Sequence, residues 1–249
     1  MAKTPAVERI RLPIPSPKNN KLFSQRFRRF LPVVVDIETS GFEPTRHAML
    51  EIAAVMPAMD AQGRWHTGMI RSIHVQPFPG AEFDPASLAF NRIDPFNPFR
   101  QATAADEKSA LEEIFQLTHD ALTQHHCIKA VLVGHNVAFD LGFLNAAVTR
   151  TRIKKNPFHT FTTFDTATLS ALMLGQTALA KALRAAGFEW DNQLAHTARY
   201  DAERTAELFF WMLNRWSDLT DLERGVEDRP SRHPESGEAT ASPSAGESG

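Results

Sequence analysis

The chain has 249 residues, of which 43% are hydrophobic and 22% charged, and its formal net charge is −2. This balance is typical of one large or two small globular domains, and the net charge does not indicate a generally basic nucleic-acid-binding protein. The single cysteine, Cys127, excludes an intramolecular disulfide and favours a reducing compartment. No apolar run approaches the ~20 residues that cross a bilayer, and the N-terminus lacks the apolar segment of a secretory signal. We therefore expect a cytoplasmic protein without membrane contact.

Charge is distributed unevenly between the two ends of the chain. Residues 1–30 carry eight basic side chains against one acid, whereas residues 221–249 carry seven acids against three arginines. The predicted regions are a basic, flexible arm over 1–22, a folded domain over 23–222 and an acidic, disordered tail over 223–249. The tail is rich in Ser, Pro and Gly, and it has too few large apolar side chains to offset its chain entropy.

The hydrophobic patterns predict an α/β fold. Strands are predicted over 32–39, 50–56, 70–75 and 130–133, with a turn at 60–63 between the second and the third. Helices are predicted over 84–91, 104–124, 139–149, 166–174 and 177–186, and a last one from about Ala198 with an apolar stripe of Ala202, Ala206, Phe209, Leu213 and Trp216. Three strands come first, and helices with one more strand follow, so we expect a layered sheet-and-helix domain.

Two acidic residues, Asp36 and Glu38, lie on the first predicted strand among valines and an isoleucine. Because side chains alternate along a strand, both carboxylates leave from the same face. Two adjacent acids on an apolar strand repel each other and resist burial unless a cation neutralises them. The pair therefore indicates a metal site, and the alternative is an edge strand with two surface acids.

Three further residues stand beside element ends. Asp140 opens a predicted helix, where it is either a metal ligand or an acid that stabilises the helix dipole. His196 and Asp201 are five residues apart, which on one continuous helix separates them by about 140°. Both reach one site only if His196 precedes the helix and Asp201 lies in its first turns, with Thr197 as the N-cap. Otherwise His196 is an ordinary structural histidine.

Together, four carboxylates and one imidazole fit one chemistry. Carboxylate oxygens suit Mg²⁺ or Mn²⁺. Two such ions ~3.5–4 Å apart activate a water and stabilise the leaving oxygen of a phosphodiester. A neutral histidine is a natural general base for that water.

The motifs that carry these residues resemble the three exonuclease motifs of the DEDDh 3′–5′ exonucleases. They read Asp36-Ile-Glu-Thr39, His135-Asn-Val-Ala-Phe-Asp140 and His196-Thr-Ala-Arg-Tyr-Asp201. The similarity covers about residues 27–216 and continues through the segments 50–54, 74–78, 88–95, 156–159, 163–166, 174–177 and 201–206. It implies a ribonuclease H-like fold with a mixed central β-sheet flanked by α-helices. It also implies an enzyme that trims single-stranded 3′ ends of tRNA and other stable RNAs and releases nucleoside 5′-monophosphates.

The resemblance also implies roles for individual residues. Asp36, Glu38, Asp140 and Asp201 become the ligands of two Mg²⁺ ions, which Mn²⁺ can replace, and His196 becomes the general base. Two other acids are assigned structural roles, Asp165 as a helix N-cap and Glu51 as a partner on the neighbouring strand. The cluster His125-His-Cys127 lacks the paired spacing of a zinc site and is predicted to be a helix end.

Substrate contacts are implied as well. Four phenylalanines are expected to stack on the last nucleotides of a 3′ end: Phe42, Phe90, Phe139 and Phe161. The family's homodimer would lead RNA from basic residues of one subunit to the metal site of the other. Our candidates for those basic residues are Arg26, Arg28, Lys154 and Lys155, and the alternative is a solvated basic face. Ala86 stands where the family has a glutamate, so we expect weaker discrimination against a 3′-terminal cytosine.

Two other functions are compatible with the motifs. The metal ligands do not distinguish ribose from deoxyribose, so a DNA 3′–5′ exonuclease of the proofreading or repair type is one alternative. A non-catalytic nucleic-acid-binding module is the other, although all five catalytic positions are filled. Substitution of Asp36 or His196 separates the two classes, because a nuclease loses turnover and a binding module does not.

Overall fold

The computed structural model describes residues 22–227. The predicted basic arm up to residue 21 and the predicted tail from residue 228 lie outside the described residues. Within them the chain forms a mixed five-stranded sheet and eight helices. The predicted α/β class, a mixed central sheet flanked by helices, is confirmed.

The sheet has the spatial order β3-β2-β1-β4-β5. Its strands are β1 (Phe30–Thr39), β2 (Met49–Met59), β3 (Trp65–His74), β4 (Lys129–Gly134) and β5 (Phe158–Asp165). β1 pairs antiparallel with β2 and parallel with β4; β2–β3 is antiparallel and β4–β5 parallel. β1 is therefore the central strand, which excludes the alternative that its two acids lie on an edge strand.

Helices cover the sheet and connect its parallel strands. They are α1 (Leu22–Arg26), α2 (Pro85–Asn91), α3 (Pro98–Thr103), α4 (Glu107–Gln124), α5 (Ala138–Thr151), α6 (Thr166–Leu174), α7 (Leu179–Ala185) and α8 (Ala198–Glu227). Leu31, Val33, Val34 and Val35 of β1 are all essentially inaccessible to solvent, which requires cover on both faces of the sheet. α8 packs against β1, β2 and β3. α4 packs against β2, β3 and β4, α5 packs against β1, and the two helices also contact each other.

Several boundaries differ from the sequence-based expectations. β5 is not among the predicted strands, because it contains three threonines and a histidine and has no regular apolar alternation. α3 is likewise unpredicted; it is a single short helix capped by the Asn97 side chain. α4 begins at Glu107 rather than at residue 104, because Asp106 caps it by accepting a hydrogen bond from Ser109 N. α8 continues to Glu227, past the predicted domain boundary at Leu222.

Among the described residues, no helix is both long and apolar enough to cross a membrane.

Candidate active site

The strand β1 carries the first two acids of the site. Asp36 pairs with Ala53 and Glu38 pairs with Glu51 of β2. Carboxylate oxygens of Asp36, Glu38 and Asp201 lie within 4.8 Å of one another. The two strand acids therefore share a face, as their spacing requires, and they meet the acid of α8 there.

Asp140 joins this group from α5. It is the third residue of the helix and is buried, and its Oδ1 accepts a hydrogen bond of 3.0 Å from Ile37 N, between the two strand acids. Gly134, at the end of β4, leaves room for the carboxylate, because a Cβ there would lie 3.3 Å from Asp140 Oδ2. Asp140 thus faces the acids of β1 rather than only the end of its own helix.

His196 and Asp201 meet through a turn that precedes α8. The helix begins at Ala198, and Thr197 caps it by accepting a 3.4 Å hydrogen bond from Tyr200 N. His196 adopts a left-handed backbone conformation with φ of 66°. Its N–H donates to Asp201 Oδ2 at 3.2 Å, and its ring Nδ1 lies 3.9 Å from the same oxygen. The predicted arrangement, with histidine before the helix and aspartate in its first turn, is the one observed.

Burial and mutual repulsion make the charged forms of these acids unfavourable when no cation is bound. Burial raises the pKa of Glu38 to about 7, that of Asp140 to about 8 and that of Asp201 to about 6. Burial and then the neighbouring charges of Asp140 and Asp201 raise the pKa of Asp36 well above its usual range. Asp201 Oδ1 is also buried without a hydrogen-bond partner. Both observations fit a site whose missing partner is a hard divalent cation.

The imidazole of His196 is set up as a neutral base. Burial, followed by the positive charge of Arg92, lowers its pKa from the usual value. Its ring packs against Phe90, with 4.0 Å between the ring centroids. At neutral pH the ring is therefore uncharged and able to accept a proton.

Three of the four predicted phenylalanines present large apolar surfaces to solvent. The exposed fractions are 73% for Phe42, 65% for Phe90 and 79% for Phe161. Phe139 is half-buried and lies 6.2 Å from Phe42 between ring centroids. Phe42 therefore lies beside Phe139, the residue that precedes Asp140, and Phe90 lies beside His196. Phe161 lies on β5, edge-on to His159.

The predicted basic residues lie at the other end of the sheet. Arg28 is exposed, with its guanidinium 5.7 Å from the ring of Phe30, the first residue of β1. Lys154 and Lys155 are exposed just before β5, whose start pairs with the start of β4. Phe30 and Asp36 are six residue steps apart on β1, which is about 20 Å along the strand. Arg26 is half-buried and donates to Ser217 Oγ at 3.0 Å, so it also anchors α8.

Two acids have structural roles beyond those predicted for them. Glu51 is a strand neighbour of Glu38, but its Oε2 also accepts a 3.4 Å hydrogen bond from Ala198 N at the start of α8. Asp165 caps α6 as predicted, and its Oδ1 in addition accepts a 3.0 Å hydrogen bond from Asn136 N, in the turn that leads to Asp140. His125 is the C-cap of α4, so the His-Cys cluster is a helix end as predicted.

Three supporting residues escaped sequence reasoning. Asn91 donates to the carbonyl of Thr39 at 2.9 Å, and Arg92 donates to the carbonyl of Ala195, so the end of α2 connects β1 to the His196 segment. Arg150 of α5 donates to Pro44 O at 3.1 Å and forms an ion pair with buried Glu107. The segment 88–95 of the resemblance contains Asn91 but leaves residue 92 unspecified, and the partners of both residues are distant in sequence.

Comparison with known proteins gives concordant matches. The exonuclease family model matches residues 33–209. The ribonuclease T of Marinobacter nauticus is 52% identical over 196 residues, which cover 79% of this chain and 88% of the relative. The ribonuclease T of Salmonella typhimurium is 50% identical over 194 residues, which cover 78% and 89%.

Solved structures show the same fold at greater distance. E. coli exonuclease I in complex with a dT13 oligonucleotide superposes with a TM-score of 0.59 at 19% identity. The match covers 78% of this chain and 43% of exonuclease I. At this identity the likeness concerns the fold alone.

Proposed function

The chain belongs to the exonuclease family, its ribonuclease T relatives are about half identical to it, and it is a 3′–5′ exoribonuclease. On that premise we propose that the enzyme trims the single-stranded 3′ ends of tRNA and other stable RNAs. The observation that carries the proposal is the convergence of four carboxylates and a neutral imidazole on one face of the sheet, beside exposed phenylalanines. The DNA exonuclease and the non-catalytic module are not favoured, since the relatives at about half identity are ribonucleases.

We propose that Asp36, Glu38, Asp140 and Asp201 hold two Mg²⁺ ions. The donor set is entirely carboxylate, which suits Mg²⁺ or Mn²⁺ rather than zinc. The raised pKa values of these acids and the unpartnered Oδ1 of Asp201 support a cation as their common partner. When bound, such ions lower the pKa of a water and neutralise charge on the leaving oxygen.

His196 is the general base in this proposal. Its Nδ1 faces Asp201, which leaves Nε2 to accept the proton of the attacking water. A neutral ring is required for this step, and burial together with the charge of Arg92 keeps the pKa of His196 low. Phe90 packs against the ring and so limits its rotation.

The phenylalanines select a single-stranded end. Phe42 and Phe90 flank the acid cluster and expose their rings, on which splayed bases can stack. Phe139 packs edge-on against Phe42, with 6.2 Å between the ring centroids. Bases in a duplex are already stacked and paired, so trimming should stop near a duplex.

We further propose a homodimer in which Arg26, Arg28, Lys154 and Lys155 of one subunit guide RNA to the acids of the other. Supporting this, these residues lie near the start of β1 and β5, about 20 Å from the acids of their own chain. Sedimentation should give twice the chain mass. Replacing one true phosphate contact should flatten the salt dependence of RNA binding by about one unit, and an unchanged slope would reject that residue.

The central test is timed digestion of a duplex RNA with a short 3′ overhang, in Mg²⁺ and in EDTA, beside its DNA analogue. We expect Mg²⁺-dependent shortening from the 3′ end that stops near the duplex. Asp36→Asn keeps the shape of the side chain and should abolish shortening while RNA binding persists. Absence of shortening by the wild-type protein would reject the enzymatic proposal.

We also propose that the protein acts in the reducing cytoplasm, because its one cysteine, Cys127, is unpaired.

A further inference from the structure

The short helix α2 ends between the acids of β1 and the segment that carries His196. Its last residue, Asn91, is buried, and its side-chain Nδ2 donates to Thr39 O at 2.9 Å. The Oδ1 of the same side chain accepts a hydrogen bond from Ile93 N at 3.1 Å. The end of the helix is therefore held against β1, one residue after Glu38.

Arg92 extends from this anchored point to the histidine segment. It is the C-cap residue of α2, in a left-handed conformation with φ of 58°. Its guanidinium donates a hydrogen bond to the carbonyl oxygen of Ala195. That carbonyl belongs to the same peptide group as the N–H of His196.

The Ala195–His196 peptide is consequently held from both sides. Its oxygen accepts from Arg92, and its N–H donates to Asp201 Oδ2 at 3.2 Å. His196 has a φ of 66°, a conformation that a non-glycine residue adopts only when its surroundings impose it. A peptide plane restrained at both its polar atoms sets the direction in which the imidazole leaves the backbone.

We propose that Arg92 is a positioning residue for His196, which holds the Ala195–His196 peptide so that the imidazole points at the attacking water. The inference rests on the proposed function of His196 as general base. Arg92 is exposed, yet its guanidinium reaches a specific carbonyl in a different segment, 103 residues further along the chain. The position lies within the segment 88–95, in which the resemblance to known exonucleases leaves residue 92 unspecified.

Replacement of Arg92 by glycine tests the loss of the side chain, and a control variant measures the effect of the backbone change. Arg92→Gly removes the guanidinium and suits the left-handed backbone, so the variant should fold. Arg152 is a matched control, because it is an exposed C-cap of α5 with φ of 57°. Arg152→Gly shows what relief of backbone strain alone does to the midpoint of thermal unfolding.

The kinetic test is a double-mutant cycle with His196→Ala at saturating Mg²⁺. Arg92→Gly should lower kcat about tenfold and change KM by less than about twofold, because misplacement of a catalytic group slows chemistry rather than binding. Arg92→Lys, which can still donate to a carbonyl, should retain part of the lost kcat. In the His196→Ala background, Arg92→Gly should change kcat by less than about twofold.

Three results would overturn the inference. The first is an unchanged kcat, and the second is a change confined to KM, which would make Arg92 an RNA contact. The third is that Arg92→Gly lowers kcat as much in the His196→Ala background as in the wild type. Amide hydrogen exchange supplies a measurement that needs no activity: the N–H of His196 should exchange faster in Arg92→Gly than in Arg152→Gly. Wild-type protein that leaves RNA intact rejects the proposed function, whereas active wild-type protein with unchanged Arg92→Gly kinetics and exchange rejects only the role of Arg92.

Discussion

The backbone N–H of Ile37 donates a 3.0 Å hydrogen bond to Oδ1 of Asp140. Ile37 stands between the two acids of β1, so this bond attaches the start of α5 to the strand at the point where the acids project. A backbone donor directed at Asp140 Oδ1 leaves Oδ2 available to a cation. The bond also survives replacement of the carboxylate by an amide, because the amide oxygen accepts equally well.

Asp140→Asn should therefore separate charge from structure. We expect kcat to fall by about 1000-fold, since loss of one carboxylate weakens the binding and placement of the cations. In EDTA the variant should melt above the wild type, by about 2–4 °C per kcal/mol of relieved desolvation and repulsion, because burial and then neighbouring acids disfavour the charged carboxylate. Calorimetry in EDTA and digestion assays in Mg²⁺ measure the two effects. A lower melting temperature in EDTA would contradict the argument that burial and repulsion destabilise the charged Asp140 carboxylate.

The stability of the metal-free protein should depend on pH. Asp201, Glu38 and Asp140 have pKa values of about 6, 7 and 8 in the folded state, above their unfolded values near 4. A carboxyl whose pKa is raised by folding favours the folded state when protonated, so its contribution is complete below the unfolded value and is lost as pH rises through the folded value. In EDTA the free energy of unfolding should fall between about pH 4 and 8 on account of these groups.

Bound Mg²⁺ should reduce that fall, because the cation stabilises the charged carboxylates. Titration calorimetry in buffers of different ionisation enthalpy should detect protons released on Mg²⁺ binding at pH 6.5, and fewer at pH 8.5. The absence of proton release at both values would mean that these acids are already charged in the metal-free protein.

His196→Gln should lower kcat by about 100-fold to 10,000-fold, the range that general-base catalysis contributes. Mg²⁺ affinity should change little, because no imidazole belongs to the proposed ligand set. His66→Gln is the matched control, since His66 is exposed on β3 and belongs to no part of the site. Steady-state kinetics with both variants make the comparison. Full activity of His196→Gln would assign the proton transfer to another group.

Phe42→Ala should weaken RNA binding with little effect on folding. Its ring is 73% exposed, so the fold gains little from it, whereas base stacking on an aromatic ring contributes about 1–3 kcal/mol. We expect KM to rise at least about fivefold for a single-stranded overhang. Phe99→Ala is the control, because Phe99 of α3 is 86% exposed and is not among the proposed contacts. Equal effects of the two substitutions would deny Phe42 a specific role.

Ala86 should make this enzyme tolerant of a 3′-terminal cytosine. It lies four residues before Phe90 on α2, so the two side chains project from the same side of the helix. We expect oligomers that end in A and in C to be shortened at similar rates, and Ala86→Glu to slow the reaction at C selectively. Ala89→Glu is the control, because Ala89 points about 100° away from Phe90. Complete protection of C-ending oligomers from the wild-type protein would refute this expectation.

Sequence reasoning predicted the elements whose residues are buried on both sides. β1 and β4 have unbroken apolar runs because both faces of the sheet are covered. β5 was missed because threonines and a histidine interrupt its apolar residues, so no regular apolar pattern marks the segment. Its strand conformation comes from pairing with β4, a partner that no local pattern in the segment 158–165 indicates.

The residues of the site fall into the same two groups, those that a local motif marks and those that tertiary packing places. The acids and His196 stand in compact motifs, and the sequence singled them out together with their chemistry. Arg92 and Glu51 support the site through Ala195 and Ala198, over separations of 103 and 147 residues. Such contacts have no local signature, because each depends on how α2, β2 and α8 are packed.

The sequence by itself determined that Asp36 and Glu38 share a face, because the alternation of a strand is a local property with a period of two residues. It also determined that His196 must precede a helix if it is to work with Asp201. Only the tertiary structure decided that Asp140 turns toward β1 and that His196 takes a left-handed conformation beside Phe90. It likewise decided the raised pKa values of the acids, because burial and the approach of like charges arise only when distant segments pack together.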